Sequence, residues 1–156
     1  MLPALLIGSL ALTVNLLIQI AAIVAVIRYL LHLIDTNRLQ FAVRTDIKVM
    51  STVLLVLFFG HLVQFTTWAI LFLVLGEFGD FETAFYHSVV NFTSLGYGDI
   101  VMSEKWRLLG ALEAANGILM FGLTTSTFVA LMNRLFKRRK SRVMARHEQS
   151  VVDHPE

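Results

Sequence analysis

The chain of 156 residues is 56% hydrophobic and 15% charged with a net charge of +2 and a mean hydropathy of +0.71. Soluble domains are about 45–50% apolar and 25% charged, so this composition excludes a soluble globular domain and defines a membrane protein. The chain contains no cysteine, which excludes disulfides and thiolate metal sites; two prolines, few polar stretches and no internal repeat indicate one compact membrane unit.

Met1 to Ile27 carries no charged side chain and exceeds the about 20 apolar residues that a span requires. It is predicted to be a transmembrane helix retained as an anchor, because positive charge arrives only at Arg28, after the apolar run, whereas a signal peptide begins with it. Gly8, Ser9, Asn15 and Gln19 form a stripe of small and amide side chains suited to helix packing. Arg28 stands alone, unlike the repeated arginines of a voltage sensor, and reads as a snorkelling anchor.

Residues 35–48 form a polar linker in which Leu39, Val43 and Ile47 recur at helical spacing among Arg38, Arg44 and Lys48. This pattern predicts an amphipathic helix on the membrane surface, capped by Thr36 or Asn37. Amphipathicity by itself implies a covered linker; a lever that couples the first helix to the segments that follow is the sharper reading.

Val49 to Gly76 is the second predicted span. His61 within it is read either as a proton sensor or as a neutral imidazole bonded within the bundle, with Gln64, Thr66 and Thr67 available as partners worth about 0.6 kcal/mol each. Trp68 belongs to the headgroup belt or packs inside the bundle. Gly76 to Gly79 is a turn, and Asp80 is a predicted N-cap. After it Phe81, Ala84, Phe85, Ser88, Val89 and Phe92 recur with helical period. About twelve residues at 1.5 Å each reach only about 18 Å, so this helix re-enters rather than crosses. Non-helical backbone at that depth is tolerated only inside protein or beside water.

Thr93-Ser94-Leu95-Gly96-Tyr97-Gly98-Asp99 follows. Glycines on either side of Tyr97 permit alternating handedness, which turns successive carbonyls the same way, and a row of carbonyls replaces the water around a dehydrated cation. One chain supplies one row, so a ring of oxygens requires symmetric assembly of identical chains. The segment Ser94-Leu95-Gly96-Tyr97-Gly98-Asp99 resembles the filter signature of tetrameric potassium channels, usually Thr-Val-Gly-Tyr-Gly-Asp, over a region from about Val49 to Phe136. The resemblance implies an all-α membrane protein: three transmembrane helices plus a re-entrant pore helix and an extended selectivity filter, assembled as a homotetramer. It makes Ser94, Leu95, Gly96 and Tyr97 the K+ ligands, through their carbonyls and the Ser94 hydroxyl, with Thr93, Gly98 and Asp99 as support. Tyr86 and His87 take the positions of an aromatic pair, so one of them is expected to reach Tyr97 or Asp99. Val90 replaces a glutamate found in some bacterial members. Ser94, lacking the methyl of threonine, and Leu95 are departures that bear on selectivity.

Glu77, Asp80, Glu82, Asp99 and Glu104 outnumber Lys105 and Arg107 around the outer segment, an ordinary acidic surface that also concentrates cations. Trp106 to Phe136 is the third predicted span. Glu113, inside it, is open to bracing the pore helix, to being protonated or to reaching water. Gly117 stands at the family's hinge position, where bending or close packing accounts for a glycine that costs roughly 1 kcal/mol in a helix. Alignment on Gly117 implies that Ile118, Phe121, Thr125, Val129 and Asn133 line the cavity and gate. The hydroxyls of Thr124 to Thr127 serve that lining or knit helices together. Residues 137–156 are a basic tail expected to meet anionic lipid at about 1 kcal/mol per charge and to end in disorder; nucleic acid is a poor partner for so short a run.

Eleven of the thirteen Lys and Arg residues lie in 28–48 and beyond Asn133, which places both regions in the cytoplasm and the N-terminus and filter mouth outside. The domain reading is residues 1–34 as first helix, 35–48 as linker, 49–136 as pore module and 137–156 as tail. The functional expectation is a potassium-selective channel of the cell membrane that needs no cofactor and performs no catalysis. Its rivals are a weakly selective cation channel and a non-conducting subunit with the same fold. A membrane-embedded enzyme ranks lower, because Glu113, His61 and His87 lack metal-site spacing on one helix.

Overall fold

The computed structural model describes residues 1–35 and 43–153. Among them are four helices: α1 (Leu2–Asp35), α2 (Val43–Val74), α3 (Phe81–Phe92) and α4 (Arg107–Asp153). Three contain stretches long and apolar enough to cross a membrane, Leu2–Leu33, Thr45–Val74 and Arg107–Arg134. The chain is thus an all-α, multi-pass membrane protein. The short α3 is held between α2 and α4, and α1 packs on both of those helices.

Apolar side chains divide into two sets. Phe65, Trp68, Phe72, Phe92, Leu109 and Met120 form the main core, where α2, α3 and α4 meet; Val26, Val53, Leu57 and Leu131 form a second cluster nearer the other end of the spans. Leu6, Leu10, Leu17, Leu55, Phe58 and Phe59 stay exposed, which costs nothing against lipid tails as apolar as they are. Trp68 is fully buried, with its ring 5.7 Å from Phe72, and belongs to the core rather than to the headgroup belt.

Polar side chains hold α1 in place. His61 Nδ1 and Gln64 Oε1 lie 3.0 Å apart, Gln64 Nε2 donates to Gln19 Oε1, Gln19 Nε2 donates to Thr124 Oγ1, and Thr124 Oγ1 lies 3.0 Å from His61 Nε2. Each of the four groups can give one proton and take one around this ring only if His61 is neutral and protonated on Nδ1. The ring joins α1, α2 and α4. Thr66 and Thr67, expected as partners, instead donate to the carbonyls of Leu62 and Val63 one turn back in their own helix, as mid-helix threonines commonly do.

Two segments differ from expectation. Val43 to Lys48 form the opening turns of α2 rather than a separate surface helix, because nothing between them and the span breaks the helix; residues 36–42 of the linker, with the caps proposed at Thr36 and Asn37, lie outside the described residues. The tail, expected to end in disorder, is helical as far as Asp153, since no glycine or proline interrupts the run from Asn133 to Asp153.

Candidate functional site: the re-entrant segment

The site is built from its entry turn. Helix α2 ends at Val74 and is capped by Gly76, with φ +73°, where Gly76 N donates to Leu73 O and Glu77 N to Phe72 O, the paired bonds of a Schellman cap. Four residues later Asp80 starts α3, as expected: its Oδ1 accepts from Thr83 N at 2.8 Å and its Oδ2 from Thr83 Oγ1 at 2.8 Å. Those two bonds, the backbone one foremost, hold the Asp80 carboxyl below its ordinary range. One face of α3 is buried through Ala84, Ser88 and Phe92, while Phe81 stays exposed.

Helix α3 ends at Thr93, whose hydroxyl donates back to Val89 O at 2.7 Å. The next residues hang from the helix end: Ser94 N donates to Asn91 O, and Leu95 N and Gly96 N both donate to Val90 O. Positive φ angles then fall on alternate residues, +59° at Ser94, +56° at Gly96 and +76° at Gly98. Leu95 and Tyr97 between them do not share that sign. Glycine adopts such angles freely; Ser94 adopts one at a cost that its tie to Asn91 offsets. Residues 93–99 are exposed in the single chain, Tyr97 by 67% and Leu95 by 55%.

Two contacts fix the C-terminal end of the segment. Tyr86 Oη donates to Asp99 Oδ2 at 2.7 Å, a bond that lowers the Asp99 carboxyl and raises the Tyr86 phenol. His87 makes no hydrogen bond to residues 93–99: it is buried with Nδ1 unpaired, 4.8 Å from the Phe78 ring and 5.5 Å from Phe72. Burial pulls its imidazole below the ordinary value, against an upward pull from Asp99 and Glu77. Behind the segment lies a cavity of about 400 Å³ bounded by Tyr86, His87, Asn91, Asp99, Met102 and Gly110. Glu77 supplies a contact that the sequence did not reveal: its Oε2 and Oε1 accept from Ser103 N and Oγ, each at 2.7 Å. The turn before α3 is thereby tied to the loop that follows residues 93–99. No spacing or motif signals this pair, which only the chain's path brings together.

Helix α4 completes the site. A Cβ at Gly117 would overlap the Phe92 carbonyl at the end of α3, and α4 passes through this position unbroken. The glycine is therefore accounted for by close packing. Ser88 Oγ lies 2.6 Å from Glu113 Oε1 and 3.0 Å from Phe65 O, so Glu113 braces α3 from behind. Ile118 (63% exposed), Thr125, Val129 (50%) and Asn133 share one open face of α4. Phe121 does not join it. That ring packs inward, 4.7 Å from His61 and 5.8 Å from Phe92, and Gly122 takes its place on the open face.

The site is thus a short helix held between two spans that hands on to an exposed extended segment with positive φ at alternate residues. Comparison with curated proteins and with solved structures gives no match. Residues 51–134, more than half of the chain, match the ion channel family; the matched stretch takes in α2 from Ser51, the whole re-entrant segment and α4 as far as Arg134. The chain belongs to the ion channel family.

Proposed function

We propose that this channel conducts K+ selectively and passively as a homotetramer, with the carbonyls of Ser94, Leu95, Gly96 and Tyr97 and the Ser94 hydroxyl as ligands. The observation that carries the reading is the alternation of φ sign from Ser94 to Gly98 within the sequence Ser-Leu-Gly-Tyr-Gly-Asp. Alternating handedness aims successive carbonyls to one side, and four such rows around an axis replace a potassium ion's water. Exposure of Leu95 and Tyr97 supports partner chains at this depth, because bare extended backbone in a membrane needs protein or water around it. The C-terminal end of α3, carrying about half a negative charge, adds attraction for the ion.

Ile118, Thr125, Val129 and Asn133, on the open face of α4, line the cavity and inner gate in this reading. The filter mouth and N-terminus face outward from the cell membrane, and the basic residues beyond Asn133 meet anionic lipid in the cytoplasmic leaflet. Reversal potential under a potassium and sodium gradient tests selectivity, with a Tyr97 substitution as control. A potential at the potassium equilibrium value is expected; equal permeabilities would establish a weakly selective cation channel, and intact tetramers that pass no ion would establish a non-conducting subunit.

A further inference from the structure

We infer that Glu113 is a protonated positioning residue that sets the seat of α3, and through it the filter segment, by donating its carboxyl proton to Ser88. The inference rests on the reading of residues 94–97 as a potassium filter. Its basis is a count of hydrogens. Ser88 Oγ lies within bonding distance of two oxygens, Phe65 O at 3.0 Å and Glu113 Oε1 at 2.6 Å. A hydroxyl has one hydrogen to give, and the Phe65 carbonyl has none. For both short contacts to be hydrogen bonds, the second hydrogen must come from Glu113: its Oε1–H donates to Ser88 Oγ, and Ser88 donates in turn to Phe65 O.

The surroundings point the same way. Glu113 and Ser88 are both fully buried, and Glu113 Oε2 has no hydrogen-bond partner. A carboxylate there would leave a net charge and a bare anionic oxygen in an apolar interior, a large cost, whereas the neutral acid leaves only one carbonyl oxygen unpaired. The polar side chains beside the carboxyl are Ser88 and Asn91 of α3, neither of them ionisable, so no cation is at hand to hold an anion. The resulting chain runs from α4 through α3 to α2. It fixes α3 at Ser88, two residues before Val90, whose carbonyl takes the amides of Leu95 and Gly96. Glu113 touches no permeating ion; it acts by positioning the helix from which the filter hangs.

The test uses the full-length chain in bilayers. Infrared spectroscopy at neutral pH should show a carboxylic-acid carbonyl band that Glu113→Gln removes; its absence from the wild type overturns the inference. In the reversal-potential assay Glu113→Gln should keep wild-type selectivity, because the amide still donates to Ser88. Glu113→Leu and Ser88→Ala should each raise sodium permeability relative to potassium by about three- to tenfold, the ratio equivalent to one lost buried hydrogen bond. A Glu113→Gln channel as impaired as Glu113→Leu would show that the charge is what matters and overturn the inference. Should the wild type lack potassium selectivity, the filter reading fails on its own; the infrared band and amide exchange in α3, protected in Glu113→Gln and lost in Ser88→Ala, then decide the role of Glu113. If Glu113→Leu does not assemble, Glu113→Gln and Ser88→Ala carry the same decision.

Discussion

Tyr86 and Asp99 show how one side chain on α3 ties down the end of the extended segment 93–99. The phenol donates across 13 positions to a carboxylate, a charge-assisted bond of the stronger kind. Tyr86→Phe keeps the ring and removes the donor, so it should leave the helices intact and let the Asp99 carboxyl rise toward its ordinary range, as read by titration of Asp99 in the two proteins. Asp80 carries a pH dependence of definite sign. Its carboxyl is held down by the Thr83 amide and hydroxyl, so its contribution is present in full above the ordinary carboxylate value and is lost as pH falls through the depressed one. Protection of the Thr83 amide against exchange, relative to its intrinsic rate at each pH, should therefore fall in acid. Asp80→Asn, which still caps, should keep the protection and abolish the pH dependence; equal acid sensitivity in both proteins would count against this role.

Among the elements, α4 sets the geometry through what it lacks. Gly117 lets it lie against the last carbonyl of α3, and Gly122, on the open face, has nothing near it. Gly117→Ala should lower stability by about 1–3 kcal/mol, as overpacking does, and shift the reversal potential by displacing Phe92. Gly122→Ala should be tolerated, since it also improves helix propensity; denaturation in mixed micelles compares the two. The glycine at 117 was legible as unusual, but its reason was not, because sequence cannot say which backbone approaches. Phe121 makes the same point. It lies about 60° from Ile118 around a helix of 3.6 residues per turn, at the edge of the open stripe, and only the rings of His61 and Phe92 decide that it turns inward.

For the whole molecule, α1 is joined to the channel module by a closed ring of Gln19, His61, Gln64 and Thr124 rather than by apolar contact alone. Without a hydrophobic force between helices in lipid, such bonds and small-residue contacts decide which helices stay together. The absence of cysteine makes orientation directly testable. Ser103→Cys and Ser141→Cys should label with membrane-impermeant reagents from opposite sides, the first from outside and the second from the cytoplasm. Labelling of both from one side would overturn the positive-inside assignment.

Apolar run lengths, the Asp80 cap and the period of α3 were readable in the sequence because each depends on neighbours within a few positions. The glycines between Ser94 and Asp99 were readable as sites of positive φ for the same reason, and Gly96 and Gly98 adopt it. Tertiary structure alone decided the partners: Glu77 with Ser103, Ser88 with Glu113, Gly117 with Phe92, and α1 with both α2 and α4. Each of these joins residues far apart in the chain, and burial in a medium without water obliges their polar atoms to find one another; that obligation is visible in the sequence, but its fulfilment depends on which helix faces meet.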